Sequence, residues 1–322
     1  MEYKIGSFNM YKFSYQHDKE ISKNYGILAD LILTERFDIL ALQEVFNEGA
    51  IRMLVNRLGA DWDFVWAQPI SKSVQAQEGY AFVWNTRRFR LATGMKKEEA
   101  NVASGERNWR ANKTFDPRIH DNYRKDRTVW HGGLVRDPLY ARFESIQGWF
   151  EIRLINTHIM FSSGKDSDDT TVSDAIKRQR ELDLLIEIYK ELADKQYRST
   201  RPAYTFLLGD YNLNLPASGA KGPYIAPAPE TADRNGKVTK RIVTVQESLT
   251  TLKGKSHNAP DEPIREFANN YDHFTFDAIR FENTRLYCDR IDTVHKYCGG
   301  DFDKHKKEVS DHIPIYICMG LN

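Results

Sequence analysis

Long apolar runs are missing from this sequence. No stretch approaches the roughly 20 consecutive apolar residues that a membrane-crossing helix requires, so a chain anchored by such helices is excluded. Cysteine is scarce: the three present are too few for a disulfide framework, although Cys288 and Cys298 flank a short segment and could pair if oxidised. Reduced thiols in a cytoplasm are the expectation. An excess of one charge sign is missing too. The formal charge of +1 excludes a uniformly basic coat, so any contact with nucleic acid must come from local patches. The opening MEYKIGSFNM enters strand-like sequence at once, which leaves no room for a secretory signal; a cytoplasmic chain, or one whose leader has been removed, is expected. Gly-rich P-loop, GxSxG and HExxH patterns are absent, which sets aside nucleotide-triphosphate, acyl-transfer and zinc-protease chemistries.

What is present is ordinary globular material, with 41% hydrophobic and 28% charged residues. Strand-like runs recur at 3–9, 38–43, 80–85, 139–144, 149–156, 204–208, 272–278 and 312–318, bounded by Gly, Asp, Asn or Pro. Helical periodicity marks three segments. The apolar stripes are Ile21, Tyr25, Leu28 and Ile32 in 21–36, and Ile51, Leu54, Val55 and Leu58 in 50–58, the latter closed by Gly59. In 173–194 the stripe is Ile176, Leu182, Leu185, Ile186, Tyr189 and Leu192, with Ser173 as N-cap. Strands that outnumber helices predict antiparallel or mixed sheets covered by helices. No repeat or linker divides the chain, so one domain over 1–322 is expected, with long surface insertions near 94–131 and 214–265.

The run YTFLLGDYNL shows the feature that carries chemistry. An apolar strand ends in Asp210 and Asn212, which fall on one side of an extended chain. A single such ending is a turn. Here it recurs: Asn9 ends the first strand, Glu44 follows DILAL, His158 closes LINTH, and Asp311 and His312 open the last strand. Endings of this kind from sequence-distant strands come together where a site is built. The oxygens of Glu44, Asp210, Asn212 and Asp311 are hard ligands, suited to Mg²⁺, Mn²⁺ or Ca²⁺ and not to a structural zinc. Two histidines add proton transfer near neutral pH. Together these are the groups that hydrolysis of a phosphate ester needs.

With these residues in view, the sequence resembles the endonuclease/exonuclease/phosphatase superfamily, in its deoxyribonuclease I-like branch. The pieces run in order along nearly the whole chain: GSFNM (Asn9), LALQEV (Glu44), QEGYAFVW (Glu78, Tyr80), RDPLYARF (Arg136, Pro138), INTHIM (His158), LLGDYNLN (Asp210, Asn212), YDHFTFD (Asp272) and VSDHIPI (Asp311, His312). The resemblance implies an α/β (α+β) fold, a four-layer αββα sandwich of two packed mixed sheets flanked by helices. It implies that Glu44 holds the divalent metal with Asp311 and Asn9 nearby, and that Asp210 and Asn212 orient water and the scissile phosphate. His158 would pair with Glu78 and His312 with Asp272, each carboxylate fixing a ring tautomer; which histidine is acid and which base stays open. Arg136 would bind phosphate oxygens through its fork, and Tyr80 would touch the DNA backbone.

Two departures stand out. His273 replaces the arginine of the family's Tyr-Asp-Arg pattern, while phosphoinositide phosphatases would show Cys-Asp-Arg-Ile where this chain has Tyr271-Asp272-His273-Phe274. The loop between LLGDYN and YDHF lacks the bracketing disulfide of secreted members, so its order must come from packing or from another source such as structural Ca²⁺. Basic residues interleave with Trp109 and Tyr123 at 107–113 and 118–127, and Lys304, His305, Lys306 and Lys307 precede the last motif as a phosphate-steering patch. The expectation is a Mg²⁺-dependent endonuclease, with Mn²⁺ as a substitute, acting on DNA without sequence-specific readout. Its alternatives are a phosphatase or phosphodiesterase on a lipid or small phosphorylated molecule, and a non-catalytic scaffold. A cytoplasmic nuclease would threaten its own genome. An inhibitor or regulatory protein partner, delivery into another cell, or use against foreign DNA is therefore expected.

Overall fold

The structure, a computed structural model, describes residues 1–15, 23–67, 78–92, 134, 136, 138–160, 174–197, 200–254 and 262–321. The first half of the chain builds β1 (Glu2–Phe13), α1 (Tyr25–Thr34), β2 (Ile39–Val45), α2 (Glu48–Leu58), β3 (Trp62–Ala67), β4 (Gly79–Asn85) and β5 (Phe89–Leu91). There follow β6 (Leu139–Ser145), β7 (Glu151–His158), α3 (Asp174–Asp194) and β8 (Ala203–Asp210). A small ribbon, β9 (Thr231–Ala232) with β10 (Val238–Lys240), precedes β11 (Ile242–Val245) and β12 (Asp272–Asp277). The chain closes with β13 (Arg285–Arg290), α4 (Thr293–Cys298), α5 (Phe302–Glu308) and β14 (Ile315–Gly320).

Two six-stranded sheets result, ordered β13-β14-β1-β2-β4-β3 and β11-β12-β8-β7-β6-β5. Both are mixed, because β1 runs parallel to β2 and β7 parallel to β8 while their other neighbours are antiparallel. Apolar residues alternate onto the inner faces, so Ile5, Phe82, Trp84 and Ile317 of one sheet meet Phe143, Leu154, Phe206 and Phe274 of the other. Edge-to-face pairs such as Phe82 with Phe143, 5.5 Å between centroids, knit this layer. On the outer face of the first sheet, Leu28 and Ile32 of α1 and Ile51 and Leu54 of α2 cover Phe8, Leu40 and Leu42. Leu182, Leu185, Tyr189 and Leu192 of α3 cover Ile155 and Leu207 of the second. The four-layer sandwich of helices and mixed sheets is therefore the observed fold.

Local differences from the sequence reading have simple causes. The stretch 214–265 is not only surface loop, since Ile242–Val245 extends the second sheet as an edge strand against β12. Ile176 drops out of the α3 stripe and is 47% exposed, while Gly59 closes α2 as expected, with φ +97°. Ile21, Ser173, the insertion 94–131 and its basic stretches lie outside the described residues. Cys288, Cys298 and Cys318 are free thiols.

Candidate active site

Strand register brings the site together. In the second sheet Asp210, the last residue of β8, lies opposite His158 of β7 on one side and Asp272 of β12 on the other. In the first sheet Asn9 of β1 lies beside Gln43 of β2, one residue before Glu44. The loop into β14 adds Asp311 and His312. Bridging the two sheets, Asn9 donates from Nδ2 to Glu44 Oε1 at 3.1 Å and to Asp210 Oδ2 at 2.9 Å.

Two histidine–carboxylate pairs converge on Asp210. His158 Nδ1 lies 3.2 Å from Glu78 Oε1 and its Nε2 lies 3.6 Å from Asp210 Oδ2. His312 Nδ1 lies 2.8 Å from Asp272 Oδ2 and its Nε2 3.5 Å from the same Asp210 oxygen. Burial works against charge on both rings. Glu78 and Asp210 nevertheless raise the proton affinity of His158 against the opposing Arg136, and Asp272 and Asp210 raise that of His312 well above the ordinary range. Burial favours protonation of Glu78, but His158 and Arg136 outweigh it and hold its carboxyl below the usual range. For Asp210, burial wins over the two rings, and its carboxyl is pushed up.

The expected phosphate contacts differ from the sequence reading. Arg136 is buried, ion-paired with Glu78, and donates to the His158 carbonyl at 3.2 Å. Its fork is engaged in holding the first pair. Tyr80 is 1% exposed and cannot reach a DNA backbone; its hydroxyl accepts from the His158 backbone N–H at 3.1 Å. Asn212 is also buried, with φ +51°: its N–H donates to Asp210 Oδ1 at 2.9 Å and its Nδ2 to the Ile159 carbonyl at 2.7 Å. These bonds orient Asp210 from behind.

The oxygen set near Glu44 suits a hard divalent ion. Asp311 Oδ1 is buried with no hydrogen-bond partner among the described residues, and burial pushes the Asp311 carboxyl up, with Glu44 adding to the effect. Glu44 is held at φ +54° and accepts the Lys12 N–H at 3.0 Å. One ligand atom each from Glu44, Glu78 and His158 lies within 4.8 Å of the others. A carboxylate left without donors is the group a cation completes. Asn9 fits a different part: its Oδ1 accepts the Tyr11 N–H at 3.0 Å, which fixes the amide with Nδ2 facing the carboxylates. It presents a donor, not a ligand oxygen.

Several contributors were not singled out in the sequence. Gln43 donates to Ser7 Oγ at 3.1 Å and to Asn156 Oδ1 at 2.7 Å, while Asn156 donates to the Leu42 and Ala81 carbonyls, all buried beneath the site. Both sit inside recognised motifs as polar residues in apolar strands, which was the available signal. Ser310 donates to the Asn9 carbonyl at 2.6 Å and accepts the His312 N–H at 3.0 Å. His273 turns away from the site, bonded to the Leu213 carbonyl at 2.8 Å, and burial lowers its pKa. The Cys-Asp-Arg-Ile tetrapeptide does occur, at residues 288–291 on the first sheet, where Asp289 accepts from Tyr287 at 2.7 Å. Asp272 holds the place beside His312. His305 is buried, bonded to Thr293 Oγ1 and the Ser310 carbonyl, so it leaves the proposed basic patch to its lysines.

No family model matches the sequence, and no curated protein matches it. Solved structures do. TDP2 of D. rerio, complexed with a single-strand DNA product, is 13% identical with TM-score 0.56 over 99% of each chain. An endonuclease/exonuclease/phosphatase of Bacteroides vulgatus is 12% identical with TM-score 0.53 over 100% of both. The mannosyl-6-phosphatase of Bacteroides thetaiotaomicron is 13% identical with TM-score 0.51, covering 99% of this chain and 100% of that one. The chain thus has the fold of the endonuclease/exonuclease/phosphatase proteins, the deoxyribonuclease I-like sandwich.

Proposed function

We propose that the protein is a divalent-metal-dependent phosphodiesterase that hydrolyses DNA with little sequence specificity. The observation that carries this reading is the meeting of two histidine–carboxylate pairs on Asp210, with Glu44 within reach of the Glu78–His158 pair and Asp311 near enough to Glu44 to feel its charge. Mg²⁺ or Mn²⁺ held by Glu44 and Asp311 would neutralise charge on the nonbridging phosphate oxygens. The chain's own residues do the rest. Asp210, fixed by Asn9 and the Asn212 N–H, orients the attacking water and receives its proton at Oδ2. His312, whose proton Asp272 stabilises, keeps a donor on Nε2 at neutral pH for a phosphate oxygen. His158, held by Glu78 and by Tyr80 through its backbone, supplies the second ring donor.

DNA as substrate is supported by the sequence motifs and by the likeness of fold to TDP2, solved with a DNA product. A second reading, a phosphatase on a small phosphorylated molecule, has the support of the fold shared with mannosyl-6-phosphatase. Supercoiled plasmid and p-nitrophenyl phosphate, each incubated with Mg²⁺, Mn²⁺ and EDTA, separate the two. Metal-dependent nicking with little release of nitrophenol is the expected result; the reverse preference would replace the DNA reading with the phosphatase one.

A further inference from the structure

Beside the candidate metal oxygens, β1 makes an irregular turn. Its register against β2 shifts between Asn9 and Phe13, and Tyr11 and Lys12 adopt φ +44° and +58° in succession. Non-glycine residues avoid this region, and two in a row at a strand bulge mark a segment held in place for a purpose. The turn presents the half-buried Tyr11 ring to three ammonium groups: Lys23 at 5.1 Å, Lys12 at 5.3 Å and Lys306 at 5.5 Å from its centroid. Lys23 is 4% exposed, and its ammonium has no hydrogen-bond partner among the described residues.

The ring attracts each of the three cations, while their like charges repel one another. Among the described residues, none of the three has a carboxylate within 4.0 Å. Among the described residues, the carboxylates that act on Lys23 are Asp311 and Glu44, whose two charges a divalent ion would balance. Among the described residues the three ammonium groups then have no close counter-charge, and for the buried Lys23 that is costly. An anion of the substrate can supply it.

We propose that Tyr11, Lys12, Lys23 and Lys306 form a subsite for a second phosphate of the substrate, adjacent to the one that is cleaved. It rests on the phosphoesterase reading of the adjoining site. The second phosphate is either the next phosphodiester along a DNA strand, where Tyr11 offers a face to the sugar or base, or the second phosphate of a small molecule.

The test is binding, read by fluorescence anisotropy of a labelled phosphorothioate-linked DNA strand with Mg²⁺ over a range of salt. The variant Lys12→Ala/Lys306→Ala is chosen because both side chains reach solvent, and an unchanged Tm confirms its fold; Lys23→Met removes the buried charge at similar volume. Each variant is expected to weaken binding about tenfold, and the double variant to lower the slope of log affinity against log salt by roughly one. Competition of the bound strand by fructose 1,6-bisphosphate and by orthophosphate separates the sources. If strand affinity is unchanged in the variants but wild type alone prefers the bisphosphate, the subsite serves a small molecule. Unchanged strand affinity with no preference for the bisphosphate overturns the proposal. Binding that follows the expected pattern in a protein that hydrolyses no phosphoester would leave the subsite standing and overturn the hydrolytic reading.

Discussion

At the scale of the residue, Asp210 is the centre of the account: a buried carboxylate with a histidine Nε2 on each side and an asparagine donor across the sheet gap. Its neighbours set the protonation states, and this can be tested. Asp272→Asn removes the carboxylate that raises His312, so the ring loses its proton at lower pH. The alkaline limb of the kcat/KM profile should move to lower pH; an unmoved limb would contradict the role given to His312. Tyr80→Phe strips the acceptor from the buried His158 N–H. It should cost about 1–3 kcal/mol by urea denaturation, because a buried donor left unpaired bears its full desolvation penalty. The oxygen and imidazole groups were legible in the sequence because each interrupts an apolar strand. The actual partners of Tyr80 and Arg136 were not, since they depend on how β4 and the residues before β6 pack on β7. Lys23 gave no signal at all, as its burial comes from tertiary packing beside Tyr11.

The elements explain how such a cluster is held. Gly209 precedes Asp210 at φ +142°, and a Cβ there would lie 1.9 Å from the Thr157 carbonyl oxygen of the neighbouring strand. Gly209→Ala should destabilise the fold by more than about 3 kcal/mol, measured by urea denaturation, because backbone must move to make room. A cost under about 1 kcal/mol would mean that the β7–β8 approach is looser than described. On the other sheet, α5 carries His305, whose Nδ1 donates to the Ser310 carbonyl at 2.7 Å and whose Nε2 accepts from Thr293 at 2.6 Å. Burial brings its pKa down to about 4 from 6.5, so the ring is neutral in the fold. The unfolded chain takes up the proton first as pH falls. The contribution of this ring to stability is full above about pH 6.5 and declines toward pH 4 by roughly 3 kcal/mol. His305→Asn should flatten that part of the stability profile; an unchanged slope would show that other groups dominate it. Neither α4 nor α5 was legible, being six and seven residues long and too short to show a periodicity. The long runs buried on both faces, such as β7, were the clearest.

Across the whole molecule, the site exists because two sheets are locked at one edge. Gln43 and Asn156 bond across the gap at 2.7 Å, and the Asn156 amide reaches the carbonyls of Leu42 and Ala81 in the opposite sheet. Gln43→Ala and Asn156→Ala should be strongly non-additive, with a coupling of about 1–3 kcal/mol in a double-mutant cycle; additive costs would remove the lock from the account. The layered architecture followed from the order of the motifs along the chain. The lock did not, because residues 113 positions apart give no sign in one sequence that they face each other. The proposed reaction is hydrolysis of DNA at this edge through its histidines and a bound divalent ion. Its most direct test follows nicking of supercoiled plasmid by wild type and His158→Ala in Mg²⁺, Mn²⁺ and EDTA. The account predicts nicking that needs the metal and falls by at least roughly a hundredfold in His158→Ala; no nicking with either metal, or nicking that survives in EDTA or in the variant, would contradict it.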